Sequence, residues 1–318
     1  MSEPGVLARL GEILRQSGAW LSRHRRLVRR VALSVVLPIF LGGLILAARS
    51  IPDLYERLQL APFLALLLIA VPATIVLNAV ETDLLFRMAG HPARWTEVLE
   101  TTIHGSAANL LPIPGSALVR AGAMKTGGVA IRHSSRFILC FAGVWGGVTF
   151  AYSGAALALQ RQHQVGAALT ALGLVALAAC VGLLRRLGAQ WAEVGRLVVV
   201  RVSSLPLEAL RLMLAAWALG AKVSLAQASA FTVASFIGTG ISIVPAGLGI
   251  REALIAAISP LVGVSSSMGF LSATVDRVAA MCALAAAVAL LALFRRAGPG
   301  KAEKDGRSCQ LEDKEFRK

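Results

Sequence analysis

The sequence predicts an all-α, polytopic helical membrane protein: six full spans plus two opposed re-entrant hairpins, arranged as inverted repeats. Three observations predict it. Hydrophobic residues make up 56% of the 318 and charged residues only 15%, well under the roughly 25% charged content of soluble domains. Several apolar runs reach the ~20 residues a helix needs to cross a bilayer, and no short alternating pattern suggests a barrel. Two of the apolar stretches are interrupted by proline and glycine in a matching way. Five residues lie between Pro114 and Arg120, as between Pro245 and Arg251, and both members are displaced by 131 positions (114 to 245, 120 to 251).

Residues 1–30 read as a basic cytoplasmic segment, with Arg23, Arg25, Arg26, Arg29 and Arg30 just before the first apolar run. Leu7, Leu10, Ile13 and Leu14 have helical spacing, so this segment suits an anionic cytoplasmic leaflet as a partner or serves only as a topology anchor. Residues 31–294 form a single membrane domain, with one half at about 31–160 and the other at about 165–294. Spans are expected at about 31–48, 59–80, 137–159, 165–184, 204–221 and 270–294. Glu81–Glu100 reads as a charged surface helix, and Ala189–Ser203 as an interfacial link bearing Arg196 and Arg201. Gly143, Gly146, Gly147 and Gly154 in the third span suit close helix packing. The tail, 295–318, is charged and reads as cytoplasmic and disordered.

The two broken regions carry the turns. In the first they fall at Pro112, Pro114 and Gly115, and in the second at Pro245, Gly247 and Gly249. Irregular backbone is not tolerated facing lipid, so these stretches are expected to be buried in protein or to line a cavity. If each is a hairpin entering and leaving on one face, six crossings put both termini on one side. The lysines and arginines choose that side. Arg23–Arg30, Arg87, Arg94, Lys125, Arg132, Arg136, Arg185–Arg201 and the tail fall inside, against Arg49, Arg57, Arg161 and Lys222 outside. The bias puts the termini in the cytoplasm of a bacterial-type inner membrane. It also explains the net charge of +15, which sets nucleic acid aside as a partner. Each half has three spans and a hairpin, so the second half is inverted. Broken helices meeting between inverted repeats are a transporter pattern.

The charges inside these runs are the candidate site. Arg251 and Glu252 follow the Pro245–Gly249 turn, where a half-helix start beside an arginine suits phosphate. Arg120 is the counterpart in the first hairpin, as a second phosphate ligand or as one more positive charge at the interface. Asp276 and Arg277 are neighbours about 100° apart on a helix and cannot face one way. One arrangement pairs Asp276 with Arg251 and leaves Arg277 for Glu252. Asp276 or Glu252 is the expected proton carrier. Asn109 is expected to satisfy the broken backbone of the first hairpin and is carried as a headgroup contact. Glu208 and Arg211, three apart, are expected to pair locally. Cys140, Cys180, Cys282 and Cys309 have no CxxC spacing and no disulfide framework. No metal or cofactor is expected.

Asn109 through Arg120, and Pro245, Gly247, Gly249 and Glu252, together with Arg277, resemble the motifs of the flippase-like membrane family named after the transmembrane region of lysylphosphatidylglycerol synthases. The second motif fits as Pro-x-Gly-x-Gly-x-x-Glu, while the first has Gly115-Ser116 where the family carries a glycine–acid pair. The resemblance covers about residues 30–295. It implies movement of a lipid or lipid-linked anion between leaflets, without enzymatic activity. Nothing after the sixth span would house an aminoacyl-transferring domain, and the chain has no GxSxG, HExxH, P-loop or Rossmann motif. Two alternatives stay open: a non-transporting subunit that recruits a lipid-modifying enzyme as partner, and a membrane-embedded transferase built on Asp276 or Glu252.

Overall fold

A computed structural model describes residues 40–51, 54–109, 115–240 and 248–297. The basic N-terminal segment, the tail beyond 297 and the turn residues Pro112, Pro114, Pro245 and Gly247 lie outside them. The described residues form helices and no strands: α1 (Phe40–Arg49), α2 (Leu54–Arg57), α3 (Leu60–Met88), α4 (Trp95–Ala108), α5 (Gly115–Thr126) and α6 (Ile131–Leu159). Then come α7 (His163–Arg186), α8 (Trp191–Ala218), α9 (Leu225–Ala230), α10 (Thr232–Gly240), α11 (Ile250–Ile258) and α12 (Ser266–Ala297).

Four of these helices, within α3, α6, α7 and α12, are long and apolar enough to cross a membrane, and the chain is membrane-embedded. α8 is as long, at 28 residues, but carries Arg201, Glu208 and Arg211 along its middle. The order of elements recurs. α3 leads through α4 and α5 to the long α6, and α8 leads through α9, α10 and α11 to the long α12. α3 and α8 end alike, each followed by a glycine at positive φ, Gly90 at 78° and Gly220 at 75°. A four-residue link then leads to a helix whose third residue reaches back to the cap: Glu97 Oε2 accepts from Arg94 N, and Gln227 Oε1 accepts from Ser224 N.

Two expectations about these elements are corrected. Glu81–Met88 is not part of a surface helix but the end of α3, where Glu81, Leu85 and Phe86 are buried. Only Trp95 onward forms a separate helix. Residues 191–203 are not an interfacial link but the first half of α8, which runs on through Pro206. Arg201, counted above as a topology charge, is 2% exposed. In both cases a polar residue on a long helix turns inward toward other polar side chains, which local charge content does not reveal.

α8 is the central element, touching α3, α6, α7, α9, α10 and α12. Its face with Ala209, Leu212, Met213 and Ala216 packs against Leu157 of α6 and Phe231 between α9 and α10. α6 and α7 form a tight antiparallel pair through small residues. A Cβ on Gly147 would lie 2.7 Å from Leu177 N, and one on Gly154 would lie 2.6 Å from Thr170 Oγ1. Gly143 fits against Cys180 Sγ, whereas Gly146 makes room for Phe236 of α10. Such seams let helices associate by van der Waals packing where lipid removes the hydrophobic incentive. α7 turns Leu172, Leu174 and Val175 outward.

The break between α9 and α10 leaves backbone groups that helix bonding does not use. Buried Ser153 of α6 supplies them: its Oγ accepts from Val233 N–H at 3.0 Å and donates to Ser229 O at 3.1 Å. An interrupted helix inside a membrane chain needs this kind of replacement partner.

Candidate functional site

Two charged clusters lie in the core, and α8 serves both. The first is built on α11 and α12. Gly249 caps α11 at φ 78°, where a side chain would be strained. Its N–H donates to Glu252 Oε2 at 2.8 Å, so the acid at the third helical position closes the helix start from within. The same carboxylate takes Arg277 Nε at 2.6 Å and Nη2 at 3.2 Å, and Glu252 is fully buried.

Asp276, one residue earlier on α12, faces a different set. Arg211 Nε donates to its Oδ1 at 2.9 Å and Nη2 to its Oδ2 at 3.1 Å. Arg251 Nη2 donates to Oδ2 at 2.6 Å, and Arg251 Nε to Ser235 Oγ at 3.0 Å. One carboxylate thus serves two guanidinium groups. α10 approaches closely enough that a Cβ on Gly238 would sit 2.8 Å from Arg251 Cβ. Of the arrangements considered for the four neighbouring charges, the structure has Asp276 with Arg251 and Arg277 with Glu252. Arg211 joins them from α8. Its expected partner Glu208 points elsewhere, which corrects that local pairing: Glu208 Oε1 lies 2.9 Å from Arg201 Nη2.

Arg201 is the centre of the second cluster. Its Nη1 donates to Ser204 Oγ at 3.0 Å and its Nη2 to Thr149 Oγ1 at 3.3 Å. Its Cζ stands 4.9 Å from the centroid of the Trp145 ring, a cation–π contact. Glu81 of α3 lies 3.6 Å away, Oε1 to Nη1, too far for a hydrogen bond. Arg120 of α5 acts on Glu81 as the next cation and packs its guanidinium over Phe141 at 5.2 Å.

The two clusters differ in how fully they are satisfied. Glu81 Oε1, Arg120 Nε, Trp145 Nε1 and Arg201 Nε are buried without a hydrogen-bond partner among the described residues. All four belong to the second cluster. Glu208 joins the clusters electrostatically, since its charge acts on both Glu81 and Arg251. Together they hold Arg120, Arg201, Arg211, Arg251 and Arg277 against Glu81, Glu208, Glu252 and Asp276, an excess of one positive charge.

The remaining sequence candidates sit apart. Asn109 Oδ1 accepts from Ser116 N–H at 2.7 Å, tying the end of α4 to the start of α5 through the backbone, the kind of role expected of it. Gly115 lies against the backbone of Ala108, with no room for a Cβ, so α4 and α5 touch directly. His104 is exposed, with Nδ1 2.7 Å from Glu100 O. Arg120 and Arg251 do not share a partner among the described residues.

Glu81 and Arg201 were not among the sequence candidates, yet a signal existed. Arg201, Ser204, Glu208 and Arg211 recur at three- and four-residue steps, which makes a polar stripe on one side of an otherwise apolar helix. Asn78, Glu81 and Thr82 make the same pattern on α3. Comparison with protein families and with curated proteins finds no match to this chain.

Proposed function

We propose that this chain is a membrane translocator that moves a lipid or lipid-linked anion between leaflets, with the headgroup phosphate held by the hairpin arginines. The observation that carries this reading is the buried excess of positive charge. Five arginines face four carboxylates, with Arg201, Arg277, Glu81, Glu252 and Asp276 buried and Arg120, Arg211, Arg251 and Glu208 half-buried. Intramembrane charges are costly and mark ligand or ion pathways. An anion is the ligand that such an excess attracts.

The arrangement of the cations supports the same reading. Arg211 and Arg251 share Asp276, so this group alone has one cation more than it has anions. Guanidinium groups suit phosphate through paired hydrogen bonds. Arg120 Nε has no hydrogen-bond partner among the described residues, which leaves it a donor at the other interrupted arm. Six crossings, hairpins entering from opposite faces and cytoplasmic termini complete the proposal. Two interrupted arms would meet between inverted halves, as in other transporters. The resemblance of Asn109–Arg120 and Pro245–Glu252 to the flippase-like family points to the same activity.

The test is leaflet exchange of a fluorescent phosphatidylglycerol in proteoliposomes. Arg251→Ala and Arg120→Ala should each slow exchange by at least tenfold. Exchange at the wild-type rate in both variants removes the proposed site.

A further inference from the structure

Three carboxylates line the α8 side of the two clusters in very different states of satisfaction. Asp276 accepts three hydrogen bonds from two arginines. Glu252 accepts two from Arg277 and one from Gly249 N–H. Glu81 is 4% exposed, has Oε1 without a partner, and meets its closest cation only at 3.6 Å. A carboxylate that already accepts three hydrogen bonds has about one of its roughly four lone-pair sites left. Asp276 and Glu252, the proton carriers expected from the sequence, are both of this kind.

We propose that Glu81 is the protonation site of this protein, and that it takes up a proton when an anion occupies the second cluster. The inference rests on the translocator reading for the anion's identity, but its physical basis is local. The charges acting on Glu81 are Arg201 and Glu208 from α8 and Arg120 from α5. α6 faces Arg201 with Trp145 and Thr149, and α4 meets the same turn of α3 with Thr102, which bonds Thr82; all three are uncharged. On α3 itself, Asp83 is committed to Arg87 at 2.8 Å.

With Glu81 ionised, Arg120 and Arg201 are balanced by Glu81 and Glu208. When Glu81 binds a proton from water, the carboxylate becomes a neutral acid and the same two arginines exceed Glu208 by one charge. A phosphate monoanion restores the balance. Its oxygens would find the Nε atoms of Arg120 and Arg201 and the Nε1 of Trp145, three donors without a hydrogen-bond partner among the described residues. When the anion leaves, the proton returns to water. Uptake of one proton therefore accompanies occupancy by one negative charge, and the cluster's net charge is the same in both states.

The experiment is infrared difference spectroscopy on the full chain in phosphatidylcholine nanodiscs, following the stretch of a protonated carboxyl. One arm adds phosphatidylglycerol to the discs, and another adds inorganic phosphate to the buffer. The band should grow as pH falls, grow further with an anion present, and vanish in Glu81→Gln but not in Glu252→Gln. If Glu81→Gln does not fold, Glu81→Asp should keep the band at a shifted frequency. Growth with phosphatidylglycerol alone assigns the anion to a lipid, and growth with phosphate assigns it to a soluble anion; either supports the linkage. A band that persists in Glu81→Gln, is absent from the wild type, or ignores both anions overturns it. Leaflet exchange is measured on the same preparations. A Glu81 band that responds to anions without any lipid exchange keeps the proton linkage and rejects translocation.

Discussion

Replacing Asp276 with asparagine removes the one negative charge shared by Arg211 and Arg251. The Asp276 side chain is 1% exposed, and those of its two partners are 14% and 15% exposed. Three hydrogen bonds to a charged acceptor are lost or weakened, each worth ~1.5–3 kcal/mol. Asparagine keeps one acceptor oxygen but turns an amide N–H toward a guanidinium. Breaking a buried pair by removing one partner costs ~3–5 kcal/mol, because the orphaned charge stays buried, and here two charges are orphaned. Arg211→Gln should cost less, ~1–3 kcal/mol, since Asp276 keeps Arg251. The double variant should be more stable than the sum of its singles, with a coupling of ~0.5–3 kcal/mol, because the second change removes a cation that the first had stranded. Unfolding in mixed micelles followed by circular dichroism measures all three. A loss below ~1 kcal/mol for Asp276→Asn, or strict additivity in the double variant, would falsify the shared-carboxylate account.

Ser153→Ala leaves Val233 N–H without its acceptor at the α9–α10 break; it should cost ~1–3 kcal/mol in the same unfolding assay, and a loss within error would mean another group takes over. Gly249→Ala forces a side chain onto a residue at φ 78°, and should cost ~1–3 kcal/mol and displace Glu252, with Gly240→Ala, where a Cβ meets open space, as the near-neutral control. Single cysteines beside Pro114 and Pro245 should react with a membrane-impermeant thiol reagent from opposite faces of oriented vesicles; labelling of both from one face contradicts the inverted arrangement.

The all-helical membrane character was legible because it rests on composition and run length, which no tertiary contact overrides. The charges of α11 and α12 were legible for the same reason: Arg251, Glu252, Asp276 and Arg277 have few places to go in an apolar chain except to one another. Helix geometry required only that adjacent residues on α12 point to different partners; the pairing of Asp276 with Arg251 and of Arg277 with Glu252 was one of the arrangements left open. Arg201, Glu81 and Arg211 were harder. Glu81 and Arg201 lie in stretches with enough local charge to read as surface or interfacial, Arg211 was assigned to Glu208 within a span, and only the packing of α8 against α3 and α12 shows what they meet. The local rule that Glu208 and Arg211 pair at three residues lost to other partners: Arg201 two turns earlier on α8 for Glu208, and Asp276 across the α8–α12 contact for Arg211. Charge counting therefore placed Arg201 among the topology signals although it is the best-buried arginine of the core.

The central claim is that the buried arginines select for a negative headgroup. It is tested most directly by comparing protein-dependent leaflet exchange of fluorescent phosphatidylglycerol and fluorescent phosphatidylcholine in the same proteoliposomes. The account predicts faster exchange of the anionic lipid, with the difference removed in Arg251→Ala. Equal rates for the two lipids, or exchange no faster than in protein-free vesicles, would contradict it.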